Sequence, residues 1–233
     1  MPTRLTESTT STSRFLFPRW ANYMVPALVL LAIGVLTYIP LVLALFLSPQ
    51  TTDVRYRPQQ PVPFSHELHA GQLKMDCRYC HSTVEQTPYA AIPSTKICMN
   101  CHASINSTSD KLQLVRDGYT TGQPISWIKV HDEPDFVFFN HAAHVNKGVG
   151  CVECHGRVDQ METVYQHESL SMAWCLNCHR NPSARLRPRS EITNMQWKAS
   201  LTDREASELA EKLNDQYQIQ DSVFMTSCTT CHR

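Results

Sequence analysis

Glycine is scarce in this chain, seven in 233 residues, and there is no Walker loop, no dinucleotide fingerprint and no nucleophile motif. Phosphate cradling and hydrolytic catalysis therefore lack their usual sequence basis. An excess of positive charge is missing as well. Setting aside the first 48 residues, which hold Arg4, Arg14, Arg19 and Glu7, leaves 18 basic against 20 acidic side chains. That balance excludes a nucleic-acid binder working through a general basic surface. Charged residues make up 18% of the chain, below the roughly 25% of an average soluble protein, and the deficit is concentrated near the start.

From Trp20 to Leu47 no side chain is charged. As a helix those 28 positions extend about 42 Å, more than the roughly 30 Å hydrocarbon core of a bilayer. Pro26 and Pro40 lie near the ends, where a kink is tolerated, and Trp20 and Tyr23 suit an interface. A cleavable signal peptide has an apolar stretch of roughly 7–15 residues ending in small side chains. This run is longer and ends Leu43-Ala44-Leu45-Phe46-Leu47, so an uncleaved anchor is expected. The three arginines before it, opposed by Glu7 alone, place the N-terminus in the cytoplasm and everything after Ser48 outside. The expected layout is a cytoplasmic tail at 1–19, a transmembrane anchor at 20–48 and an extended linker at 49–63 carrying Pro49, Pro58, Pro61 and Pro63.

All ten cysteines fall into one repeated pattern: Cys77-x-x-Cys80-His81, Cys98-x-x-Cys101-His102, Cys151-x-x-Cys154-His155, Cys175-x-x-Cys178-His179 and Cys228-x-x-Cys231-His232. At this composition roughly 0.02 such matches arise by chance. The pattern is the attachment motif of covalent c-type haem. Two cysteines three apart share one side of a helical turn, so both sulfurs reach the vinyl groups of one porphyrin, and the following histidine becomes the proximal iron ligand. Structural zinc sites and disulfides also use cysteine pairs, but neither requires a histidine in the same place all five times. Five c-type haems are expected. Their attachment outside the cytoplasmic membrane of a bacterium agrees with the side assigned by the arginines.

The chain also repeats itself. Phe64-x-His66-x-x-His69 followed by the first two motifs matches Phe139-x-His141-x-x-His144 followed by the third and fourth, with offsets of 75, 74 and 77 residues. A two-haem module (64–102, then 139–179) is doubled within a tetrahaem domain at 64–180, and the fifth haem belongs to a C-terminal extension at 181–233. The histidines at i and i+3 share one helix face and reach two different irons, against the alternative that they are surface histidines at helical spacing. His66, His69, His131, His141, His144 and Met172 are the candidates for the distal iron position, with His167 a weaker one. Bis-His ligation favours low potential and His/Met a higher one. With that many donors for five irons, no open coordination site is expected, and the chain reads as an electron carrier rather than a catalyst.

The fold expected is mainly α with little regular structure and no substantial sheet: one N-terminal helix, then a loop-rich domain built around stacked haems. About 185 residues for five porphyrins leave too few for an ordinary core. The clearest helix opens with the capping box Thr202-Asp-Arg-Glu205 and carries Ala206, Leu209, Leu213 and Tyr217 on one face. Lys111–Arg116 is expected as a short helix and Gly118–Pro124 as a loop.

The Phe-x-His-x-x-His run before each Cys-x-x-Cys-His pair resembles class III multihaem cytochromes. The order of the single span, Ala91-Ile-Pro-Ser-Thr-Lys-Ile-Cys98, Val130-His131-Asp-Glu-Pro-Asp-Phe and Leu170-Ser-Met172-Ala-Trp-Cys175 is similar to the pentahaem subunit of alternative complex III, over about residues 20–233. The resemblance implies a subunit of a bacterial membrane quinol:electron-acceptor oxidoreductase. Its partners would be an integral-membrane quinol-binding subunit, an iron-sulfur protein and a cytochrome c-like acceptor. It also implies mostly bis-His haems and one His/Met, which favours Met172 and His131 over His167. Two rivals are a self-sufficient membrane quinol dehydrogenase feeding a periplasmic reductase, and a multihaem enzyme acting on nitrite or hydroxylamine.

Overall fold

The computed structural model describes residues 17–48, 52–197 and 202–232. Most of the expected tail (1–16) and the first linker residues (49–51) lie outside the described residues. The chain divides into two compact units, Met1–Thr51 and Thr52–Arg233.

In the first unit a 3-10 turn at Arg19–Tyr23 leads into α1 (Met24–Phe46). Its 23 residues rise about 35 Å. None of them is buried against protein, and the span Arg19–Phe46 has a mean hydropathy of 2.7, long and apolar enough to cross a membrane. Pro26 sits in the first turn, where its missing N–H costs nothing. The Thr37 hydroxyl donates to the Ile33 carbonyl at 2.9 Å, which satisfies it without water.

The second unit is helical and loop-rich. Its α-helices are α2 (Cys77–Cys80), α3 (Thr95–His102), α4 (Gln113–Thr121), α5 (His141–Asn146), α6 (Val152–His155), α7 (Met172–Arg180), α8 (Asp203–Gln216), α9 (Ser222–Met225) and α10 (Cys228–Cys231). A π-helix spans Glu67–Gln72. Among the described residues the one β feature is an isolated bridge between Val149 and Leu186. Side-chain caps start several helices: Asp76 accepts from Arg78 N, Asn140 from Ala143 N, Ser171 from Trp174 N and Asp221 from Phe224 N.

Two expectations need correction. Helix α4 runs through Gly118 and ends at Thr121, with Gly122 in the left-handed conformation (φ 73°). Gly118 is there for close approach: a Cβ on it would lie 2.9 Å from the Gln123 carbonyl and 3.0 Å from Thr95 Cγ2. The tight contact outweighs the roughly 1 kcal/mol that glycine costs a helix. The segment at 52–63 is extended, but it is docked rather than loose. Arg55 N donates to the Gln166 carbonyl at 2.7 Å and Gln166 N to the Tyr56 carbonyl at 3.1 Å. The Gln60 amide exchanges two bonds with the Ile128 main chain, and Val62 is buried. Extended backbone has no internal partners, so facing loops satisfy it.

Helix α8 opens with the expected capping box, Thr202 N donating to Glu205 Oε2 at 2.8 Å and Glu205 N to Thr202 Oγ1 at 3.4 Å. Leu213 and Tyr217 pack with Leu186, flanked by Val149, Leu209 and Ile219. The Tyr217 hydroxyl accepts from Arg189 N at 3.1 Å. This cluster holds the residues just before Cys151 against the C-terminal extension. Arg187, 3% exposed, reinforces it through Glu153 at 2.5 Å and lies over the Trp197 ring. Replacing Arg187 with Ala leaves the Glu153 carboxylate with Arg185 alone, at 3.3 Å, and is expected to cost about 2 kcal/mol, below the roughly 3–5 kcal/mol of a buried charge left without any partner, because Glu153 keeps that second cation and 22% of its exposure. Denaturant unfolding of the haem-loaded chain measures it, and a loss below about 1 kcal/mol contradicts the role.

Candidate haem-attachment sites

Each of the five Cys-x-x-Cys-His motifs folds as a helical turn: α2, the end of α3, Cys151 leading into α6, the middle of α7, and α10. Numbered in chain order, these are sites 1 to 5. No two of the ten cysteines form a disulfide.

The histidines carry the clearest geometry. Nδ1 of His81 bonds to the Ala91 carbonyl at 2.8 Å, that of His102 to Ile105 at 2.9 Å, that of His179 to Met225 at 2.9 Å and that of His232 to Phe136 at 3.0 Å. Among the distal candidates, His69 bonds to the Ser65 carbonyl at 2.8 Å, His141 to Pro88 at 2.9 Å and His144 to Asn140 at 2.8 Å. A carbonyl only accepts, so Nδ1 carries the proton and Nε2 keeps its lone pair, the arrangement found behind metal-bound imidazoles. Burial reinforces neutrality. It lowers the pKa of His155 to about 3 and of His66 and His131 to about 4, with neighbouring imidazoles adding to the shift. Burial also lowers His141 and His144.

Three pairs face each other across similar gaps: His69 and His102 at 6.2 Å between ring centroids, His141 and His155 at 6.4 Å, and His144 and His179 at 6.1 Å. With a metal–imidazole bond of about 2.0–2.1 Å and about 1.1 Å from nitrogen to ring centre, one metal between two imidazoles sets their centroids about 6.3 Å apart. The gaps therefore fit one iron each. The pairing within the modules is the repeat seen in three dimensions: Phe64 stacks on His69 at 4.4 Å and Phe139 on His144 at 4.6 Å.

The remaining candidates are placed differently. His66 has a buried Nδ1 with no hydrogen-bond partner, and burial, with the nearby His81 and His69 imidazoles, lowers its pKa. His131 crosses His155 at 4.5 Å and 81°, too close for a shared iron, and its buried Nε2 is unpartnered. Buried nitrogens of this kind cost about 1–3 kcal/mol unless something binds them. Met172 is exposed at the start of α7. His167 is in none of these three pairs. Its ring lies against Gly156, where a Cβ would meet it at 2.5 Å, and its Nε2 is 3.6 Å from Glu168. The place opposite His179 is taken by His144.

Apolar packing supports the same group. Among the described residues of the second unit, the buried apolar side chains are Val62, Val115, Val145, Met161, Leu186, Ile192, Leu213 and Tyr217, too sparse to order 182 residues. Porphyrins fit as the bulk of the core. Glycine completes the site: a Cβ on Gly71 would meet the Asp159 carbonyl oxygen at 2.1 Å, so only glycine lets the His66/His69 segment lie on the 158–160 turn.

The comparisons agree with the geometry. The class III cytochrome C family matches residues 46–134. The multiheme cytochrome c subunit of menaquinone reductase from Nitratidesulfovibrio vulgaris (strain Hildenborough) is 31% identical over 144 residues, covering 53% of this chain and 69% of that protein. With its covalent c-type haem attachment motifs, its helical fold and its apolar N-terminal helix, the chain belongs to the class III multihaem cytochrome c family, homologous to that menaquinone reductase subunit.

Proposed function

We propose that this chain is the five-haem electron-transfer subunit of a bacterial membrane quinol:electron-acceptor oxidoreductase of the alternative complex III kind. The observation that carries this reading is the set of imidazole pairs with centroids 6.1–6.4 Å apart: each would hold an iron from both sides and leave it no place for a substrate. Bound haem supplies one-electron redox chemistry. The protein would anchor each porphyrin through paired cysteines, and it orients seven of the imidazoles through Nδ1–H bonds to backbone carbonyls; burial keeps His66, His131, His141, His144 and His155 neutral.

His69, His141 and His144 serve sites 2, 3 and 4. His66 serves site 1, since it stands to His81 in the module as His141 stands to His155; His131 is the other imidazole left for that iron. Met172 serves site 5, because α7 packs on α9, the helix just before Cys228. The helix at Arg19–Phe46 is a single-pass anchor with the N-terminus cytoplasmic and the haem domain outside. Electrons come from an integral-membrane quinol-binding subunit by way of an iron-sulfur partner and leave to a cytochrome c-like acceptor.

The alternative, a self-sufficient quinol dehydrogenase, requires a quinol pocket in this chain. The decisive comparison is the purified chain against its intact complex, each given a quinol analogue. Haem reduction in the complex, and none in the isolated chain, is expected. Rapid reduction of the isolated chain supports the alternative. Spin-resonance spectra of a redox titration count bis-His against His/Met irons, and a fifth haem that is bis-His removes Met172 from the ligand set.

A further inference from the structure

The attachment sites do not follow one another in space as they do along the chain. Sites 1 and 2 are joined directly: Asn100, inside the second motif, donates to the Tyr79 hydroxyl, inside the first, at 3.0 Å. Sites 1 and 3 are joined through Ile192 and Thr193. The Ile192 carbonyl accepts from Cys151 N at 3.1 Å, and the Thr193 hydroxyl donates at 3.0 Å to Asp76, the cap of the first motif. His141, opposite His155 of site 3, is itself tied to the first-motif loop by Pro88. Sites 3 and 4 are joined by Glu153, inside the third motif, which pairs at 3.3 Å with Arg185, just past α7. Sites 4 and 5 are joined by His179, whose Nδ1 donates to Met225 three residues before Cys228.

We propose that the five sites form one unbranched row in the spatial order second, first, third, fourth, fifth, so that the second and fifth motifs are the ends offered to the electron donor and acceptor proteins. The proposal rests on the five-haem reading above. Exposure agrees with it independently: Cys101 and Cys228 are the two exposed cysteines of the ten, one at each end of the row. Interior sites have a neighbour on both sides and bury their sulfurs further. The physical origin is the doubled module. The two copies meet through their first motifs, which pushes the second motif of the N-terminal copy outward and leaves that of the C-terminal copy to be met by the extension.

The test uses the full haem-loaded chain in detergent, after pyridine haemochrome has counted five haems. His69→Ala opens the sixth position at site 2 without touching a thioether and creates one high-spin iron. A high-spin iron speeds the spin relaxation of low-spin neighbours, so pulsed spin-resonance reads how many adjoin it. At site 2 one accelerated low-spin signal is expected; two overturn the order, because chain order makes site 2 interior. His144→Ala, at site 4, is the control with two neighbours. A count below five defeats the five-haem reading instead. Should His69→Ala lose haem, radical footprinting of the unmodified chain alone and in its complex decides. Protection at Ile105 and Phe224 supports the row, and protection at Tyr79 in place of Ile105 overturns it.

Discussion

Made without haem attachment, the unit from Thr52 to Arg233 is expected not to reach this fold at all. Fixing one residue's backbone costs about 1–2 kcal/mol, and the scattered buried side chains from Val62 to Tyr217 fall far short of offsetting that along the whole unit. Thioethers and axial bonds supply what is missing: they close loops between distant segments and bury porphyrin faces. In a strain lacking the haem-attachment machinery, the chain should lose its near-ultraviolet dichroism and be digested rapidly by protease. The capped helix α8 is the segment best able to keep some local helicity. A haem-free chain with dispersed, native-like spectra and protease resistance contradicts the account of the core.

The second large effect concerns one histidine. His144→Ala removes the imidazole 6.1 Å from that of His179 and should convert the haem at site 4 from low-spin to high-spin. That iron then binds carbon monoxide, and added imidazole restores the low-spin spectrum. His144→Met keeps a sixth ligand, so the haem stays low-spin while its potential rises, since thioether ligation favours the reduced iron. The rescue separates ligation from packing: a merely structural histidine at this position leaves every haem low-spin in the Ala variant. Unchanged spectra in both variants remove His144, and by the repeat His69, from the ligand set.

Much of the attachment chemistry was legible because it is local. A Cys-x-x-Cys-His motif needs one helical turn, and each of the five takes that form. The i, i+3 spacing of the histidines is likewise local, and the bonds from His69 to Ser65 and from His144 to Asn140 follow the helical offset. The carbonyls behind the other imidazoles carry no signal. Ala91, Ile105, Pro88, Met225 and Phe136 act through their backbone, which every residue shares. His167, the weaker distal candidate, has its ring against Gly156, a contact that its place in the sequence does not reveal. Gly118 was taken for a break because a glycine's local preference does not reveal a neighbour pressed against it.

The residues alone determined the attachment motifs, the doubled module, the apolar helix and the helical, haem-centred class of fold, since each follows from spacings within a turn or two or from composition. Only the tertiary structure decided which imidazoles oppose each other, that the proline-rich stretch docks on Gln166 and Ile128, and which motifs adjoin. Those outcomes depend on contacts such as Asn100 with Tyr79 and Thr193 with Asp76. They join segments as far as 117 residues apart, a separation at which sequence spacing no longer constrains distance.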